Sequence, residues 1–292
     1  MYYRHKVLLS LIKTFGGALP RTDCQKLVFL FCQRTEKNYY DFFPYQYGGF
    51  SYVLNFDKRH LSTLGYLKNE EFFKLNSQFI PKIKASEQNA LLRLKEEIGS
   101  LRGKALIRKA YREFPYFASN SLKKSEIFTS KELKQFKEDW KKEIGPCLYT
   151  LGYEGISIDG YLNKLNYHNI KILFDVRKNP ISRKFGFSIS KLKLYVEKLG
   201  IEYIHIPELG IASNLRKQLD SQSSYKKLFN LYQNDILPRQ EQALKLIKST
   251  VSNHGIGALT CFETDYKFCH RYKITEFLKK DTSFSTPVIH LN

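Results

Sequence analysis

The sequence predicts an α/β protein whose C-terminal half is a mostly parallel, doubly wound sheet with helices on both faces. Its N-terminal half is predicted to be a mainly helical domain. Three observations carry this. From residue 147 onward, short apolar runs alternate with helical patterns, the signature of crossover units. One run, residues 170–176, is apolar almost throughout, as expected for a strand covered on both faces. Before residue 120, apolar residues recur at helical spacing, with aromatic and glycine-rich interruptions.

In the first half, Val7, Leu8, Leu11, Ile12 and Phe15 fall on one helical face, and Gly16-Gly17 ends that helix. Residues 21–34 read as a second helix, with Thr22 or Asp23 placed to cap it. An aromatic stretch, residues 39–52, follows and is broken by Pro44, Gly48 and Gly49. A third helix fits 53–64, and 72–80 suits a short strand pair, a wing. Together these elements suggest a winged helix, with Lys58 and Arg59, beside His60, on the helix that would face DNA. The stretch also resembles small winged-helix modules of bacterial and prophage proteins. Residues 86–114 read as helices broken at Gly99 and Gly103. The expected division is a domain over 1–120, a lysine-rich linker over 121–146 and a catalytic domain over 147–292.

In the second half, strands are expected at 148–153, 170–176, 201–206 and 256–261, with an edge strand at 287–291. Helices are expected at 157–168, 191–199 and 270–280, and over 225–251 with a break at Pro238.

Lys and Arg number 48 against 28 Asp and Glu, a net charge of +20. Residues 1–143 carry 27 basic and 15 acidic groups and the remainder 21 and 13, so both halves are basic. Such a field attracts polyanions, and double-stranded DNA is the expected partner. No apolar run is long enough to span a bilayer, and no signal peptide is read at the N-terminus. Five scattered cysteines fit a reduced, cytoplasmic setting.

Chemistry-bearing residues cluster where each strand ends. Tyr153 and Glu154 follow the first strand, Asp175, Arg177 and Arg183 the second, and Glu208 the third. Cys261, Glu263, Cys269, His270 and Arg271 follow the fourth. In an open parallel sheet these ends converge on one crevice. Asp175 and Glu263 are the candidate catalytic carboxylates, able to activate water or stabilise a cationic sugar. Arg177, Arg183 and Arg271 suit phosphate, and His270-Arg271 opens a helix, where anions are favoured. Tyr153 suits stacking on an extruded base and Glu154 the reading of a base edge. Cys269 at a helix start could carry a lowered pKa, which leaves thiol chemistry open, although a small buried cysteine is the plainer reading. Cys261, Cys269 and His270 also invite a zinc reading. No close Cys-x2-Cys pair or fourth ligand supports it, so no metal and no cofactor is expected. Walker, dinucleotide, His-Glu-x-x-His and serine-elbow motifs are missing.

Five ordered segments resemble domain of unknown function 488 over 148–280. They are Tyr149-Thr-Leu-Gly-Tyr-Glu-Gly155, Asp175-Val-Arg-Lys-Asn-Pro-Ile-Ser-Arg183, Phe185-Gly-Phe-Ser188, Tyr203-Ile-His-Ile-Pro-Glu-Leu-Gly210, and Cys261-Phe-Glu263 with Cys269-His-Arg271. The resemblance implies an α/β domain with a polar strand-end pocket. Some phage-defence proteins that remove modified bases from DNA look similar. The resulting expectation is a DNA-acting hydrolase of the N-glycosidic bond, a DNA glycosylase working in phage defence or repair. The alternatives are a non-enzymatic DNA-binding regulator with a nucleotide- or anion-sensing pocket, and a cysteine-dependent enzyme acting on a nucleotide.

Overall fold

In a computed structural model the chain divides into two compact units, Met1–Lys141 and Lys142–Asn292. The structure describes residues 1–68, 71–76, 82–135, 145–216 and 222–291. Among them, no helix is long and apolar enough to cross a membrane.

The first unit runs α1 (Tyr3–Thr14), β1 (Ala18–Leu19), α2 (Arg21–Thr35), β2 (Phe43–Tyr45), β3 (Gly48–Phe50), α3 (Tyr52–Thr63), β4 (Phe73–Lys74), α4 (Ala85–Ile98) and α5 (Gly103–Glu113). Two short helices close it, α6 (Lys124–Ile127) and α7 (Ser130–Gln135). The aromatic stretch expected as a turn is a hairpin, β2 against β3, with Gly48 taking the positive φ its turn needs. Ser51 caps α3 by accepting the Leu54 N–H. Leu8, Ile12, Leu27, Leu30, Leu54, Leu61, Leu91 and Leu94 meet in one core. β1 pairs antiparallel with β4, and Leu67 bridges Leu75, so the segment after α3 returns to the strand after α1. The expected wing therefore joins β1, and its residues 77–80 lie outside the described ones. So does 136–144 of the expected linker, while α6 and α7 occupy its first part.

A buried carboxylate ties α1 to α3. Asp57 accepts from Arg4 Nε (2.6 Å) and Tyr40 Oη (2.9 Å), and His5 Nε2 stands 3.0 Å away. The next residue, Lys58, also turns inward. Its ammonium donates to the Glu71 carbonyl (2.9 Å) and lies over the Phe73 ring, which leaves it 7% exposed. That corrects its expected place on a DNA-facing surface; Arg59 and His60 are exposed.

The second unit is built on five parallel strands, β5 (Cys147–Gly152), β6 (Ile172–Asp175), β7 (Glu202–His205), β8 (Ile256–Cys261) and β9 (Val288–Leu291). Their order across the sheet is β7-β6-β8-β5-β9. Five helices accompany them: α8 (Ile158–Tyr167), α9 (Ile189–Glu197), α10 (Gln222–Leu231), α11 (Glu241–His254) and α12 (His270–Lys279). Between α10 and α11 a π turn at Tyr232–Ile236 leads to Pro238, the predicted break. Strand side chains alternate between two apolar layers. Phe174, Val176, Leu259 and Cys261 pack with Leu228, Tyr232, Leu244, Ile247 and Ile274 of the α10–α12 layer. On the opposite face, Thr260 of β8 accepts the Tyr161 hydroxyl of α8 (2.7 Å).

The strand order locates a switch point. The chain leaves β6 outward to β7, then returns to lay β8 between β6 and β5, and leaves β8 toward β9. The connections from β6 and β8 thus run in opposite directions. A crevice opens beyond the carboxyl ends of such a strand pair.

Candidate functional site

Residues from both strands of this pair line the switch point, and they form two separate clusters. The first surrounds Asp175, which is fully buried at the end of β6. One carboxylate oxygen accepts from the Arg177 backbone N–H (3.1 Å) and Nε (2.8 Å). The other accepts from Arg177 Nη2 (2.5 Å) and from the Tyr203 hydroxyl (2.5 Å). Four donors fill the acceptor sites of a carboxylate. In this structure the Asp175 carboxylate is thus engaged by Arg177 and Tyr203, and it positions Arg177.

Arg177 is itself buried, and its Nη1 donates to Tyr153 Oη (2.9 Å) and to the Phe187 carbonyl (2.8 Å). Burial works against its charge, but the hydrogen bonds and Coulomb attraction of Asp175 outweigh that and raise its pKa. Burial, then the Asp175 charge, pushes the Tyr203 hydroxyl up, so it remains a donor. Tyr153 is buried: it stacks on Phe187 at 4.3 Å and the Arg177 guanidinium lies 5.1 Å from its ring centroid, so the ring expected to receive a base is packed inside the protein.

The second cluster lies on the α12 side, at the end of β8. Cys261 Sγ stands 3.3 Å from Glu263 Oε2 and 3.7 Å from His270 Nδ1, and Cys269 Sγ stands 3.9 Å from the same nitrogen. His270 Nε2 is 2.9 Å from the Val176 carbonyl, a pure acceptor. Nε2 therefore carries a proton, and in the neutral ring Nδ1 would present a lone pair to both sulfurs. Burial, followed by the nearby Cys261, raises the Glu263 pKa, yet the residue keeps partial exposure. Burial also pushes the Cys269 thiol well up, against the lowering expected from its helix-start position.

A backbone clamp holds the second cluster. Arg271, fully buried, donates to the Glu263 carbonyl and, at 2.8 Å, to the Thr264 carbonyl. Both terminal nitrogens of the guanidinium expected to hold phosphate thus bind backbone carbonyls, while its buried Nε has no hydrogen-bond partner among the described residues. Glu154 is similarly engaged, its carboxylate accepting the Thr264 N–H (3.1 Å) and its carbonyl the Thr264 hydroxyl (2.6 Å). Tyr153 and Glu154 both donate their backbone N–H to the Phe262 carbonyl. The loops after β5 and β8 are thereby zipped together, and Gly152 makes this possible. A Cβ there would stand 1.8 Å from the Glu263 carbonyl oxygen.

Arg183, on a loop, and Glu208, in the 3-10 turn Pro207–Leu209, are exposed and join neither cluster. Sequence reasoning missed Tyr203, whose signal was a hydroxyl inside a buried strand two residues before His205. It also missed the Val176 carbonyl, which no side-chain pattern reveals.

Residues 157–278 match a family model described as Domain of unknown function DUF488. No curated protein and no solved structure matches the chain.

Proposed function

We propose that the C-terminal unit hydrolyses the N-glycosidic bond of a base in DNA, with Glu263 as the proton-handling carboxyl. The observation that carries this reading is the state of Glu263: a partly exposed acid at the switch point, its pKa raised chiefly by burial. An acid of that kind is protonated where an ordinary glutamate is not, and can donate to a departing base. The saturated Asp175 supports the same assignment by leaving Glu263 as the acid of the original pair able to exchange a proton. The net charge of +20 supports a DNA substrate, and the switch point is where open parallel sheets take their ligands.

In this reading the N-terminal unit is a winged helix that grips the duplex. Its support is the return of the segment after α3 to β1, with Arg59 and His60 exposed on α3. Defence against phage DNA carrying modified bases is the setting we propose.

The test is base release from modified and plain duplex DNA, read by mass spectrometry of the small-molecule fraction. Glu263→Gln is expected to slow release by about 10²–10⁴-fold, the usual contribution of a general acid. The wild-type rate should fall as pH rises through the elevated Glu263 pKa. A folded chain that releases no base from any DNA tried overturns the proposal. DNA binding that survives in Glu263→Gln with full biological effect favours the regulator instead.

A further inference from the structure

We infer that Cys261, Cys269 and His270 bind a divalent transition-metal ion, zinc by their donor set, beside the switch point between β6 and β8. These three donor atoms lie within 4.8 Å of one another, all on buried residues. A zinc ion about 2.3 Å from sulfur and about 2.0 Å from nitrogen, in tetrahedral geometry, separates those atoms by roughly 3.6 Å. The observed separations from His270 Nδ1 are 3.7 Å to Cys261 Sγ and 3.9 Å to Cys269 Sγ. These two spacings therefore approach those of a loaded site.

The surroundings fit as well. A metal-bound histidine characteristically turns its other ring N–H to a carbonyl or carboxylate, which fixes the tautomer. His270 does this with Val176 O at 2.9 Å. Glu263 Oε2, 3.3 Å from Cys261 Sγ, flanks the fourth position, which a water would fill. Two thiols, an imidazole and a carboxyl thus converge on one small space, a donor set suited to a divalent transition metal.

The inference does not rest on which bond the crevice cleaves, because metal uptake is read without substrate. The full-length reduced chain is stripped with chelator, loaded with zinc or cobalt, and passed through a desalting column. About one ion per chain is expected, with sulfur-to-cobalt charge-transfer absorption in the cobalt form. Loading should release protons and strengthen as pH rises, since both thiols must ionise. Cys269→Ser and His270→Asn should each weaken retention by more than about 100-fold, beyond the usual cost of losing an outer-shell partner. Circular dichroism checks that both variants fold.

Three results overturn the proposal: a wild-type chain that retains no ion, retention without thiolate absorption, or retention unchanged in both variants. Metal uptake without base release sinks only the glycosidic reading. Base release by a chain that takes up no metal sinks only this one.

Discussion

Replacing Asp175 with Asn tests whether this carboxylate is structural or reactive. The change keeps size and removes charge. It also replaces one acceptor oxygen with an amide that can only donate, facing either Arg177 or the Tyr203 hydroxyl. The guanidinium stays charged, with 6% of its side chain exposed. Breaking a buried ion pair from one side costs about 3–5 kcal/mol, because the remaining charge is left uncompensated. For a unit of this size that lowers the melting temperature by about 6–20 °C. Arg177→Met strips the other partner, and the double variant removes the pair together. If the pair acts as a unit, the double variant is less damaged than the sum of the singles by about 0.5–3 kcal/mol. Differential scanning calorimetry of the four chains completes the cycle. A loss under about 1 kcal/mol for Asp175→Asn, the size of an exposed pair, would refute the reasoning, as would additive losses. Unchanged stability with abolished base release would return Asp175 to the reacting groups.

Two further outcomes are expected. Gly152→Ala brings a methyl to 1.8 Å from the Glu263 carbonyl oxygen, backbone against backbone. It should cost about 1–3 kcal/mol by overpacking, measured by urea unfolding. It should also slow base release about 10²-fold, through misplacement of Glu263 by about 1 Å. In the first unit Lys26 is buried, donates to the Gly49 carbonyl at 2.8 Å, and has its pKa lowered by burial to about 7. Its folded pKa lies below its unfolded value, so between about pH 7 and 10 the unfolded chain binds more protons and stability rises with pH. Lys26→Met should flatten that slope in denaturant titrations across the range; an unchanged slope would assign it to other groups.

Much of the second unit was legible in the sequence because period and punctuation agree there. The strand at 256–261 coincides with its predicted bounds, and Pro238 marks the predicted interruption. Strand order was not legible, since nothing local says that β8 lies between β6 and β5. That order decides which strand ends face each other. The candidate residues were found by their chemistry, but chemistry does not disclose direction. Asp175, Arg177 and Arg271 were read as facing a ligand and instead face each other or the backbone. Residue type alone does not separate an arginine held by carbonyls from one awaiting phosphate. No close Cys-x2-Cys pair marks the second cluster in the sequence because Cys261 ends β8 while Cys269 and His270 stand at the start of α12, and Glu263 reaches the same space through the folded loop. Lys58 shows the limit in the first unit: its helix was predicted, but its inward direction depends on Glu71 and Phe73.

The late position of β8 in the chain has a consequence for how the second unit is made. Among the described strands, β6 with β7 and β5 with β9 are two pairs that only β8 joins. During synthesis, β5, β6 and β7 all emerge before the strand that binds them into one sheet. The wait spans some fifty residues after β7, and contacts of such long sequence separation form slowly. Until residues 256–261 leave the ribosome, β5 and β6 each expose an unpaired apolar edge, a hazard for association with other chains. A truncation before residue 256 would remove the central strand along with Cys261, Glu263, Cys269 and His270. The strand that joins the two pairs thus emerges late, just ahead of the residues of the second cluster, and β9 follows both.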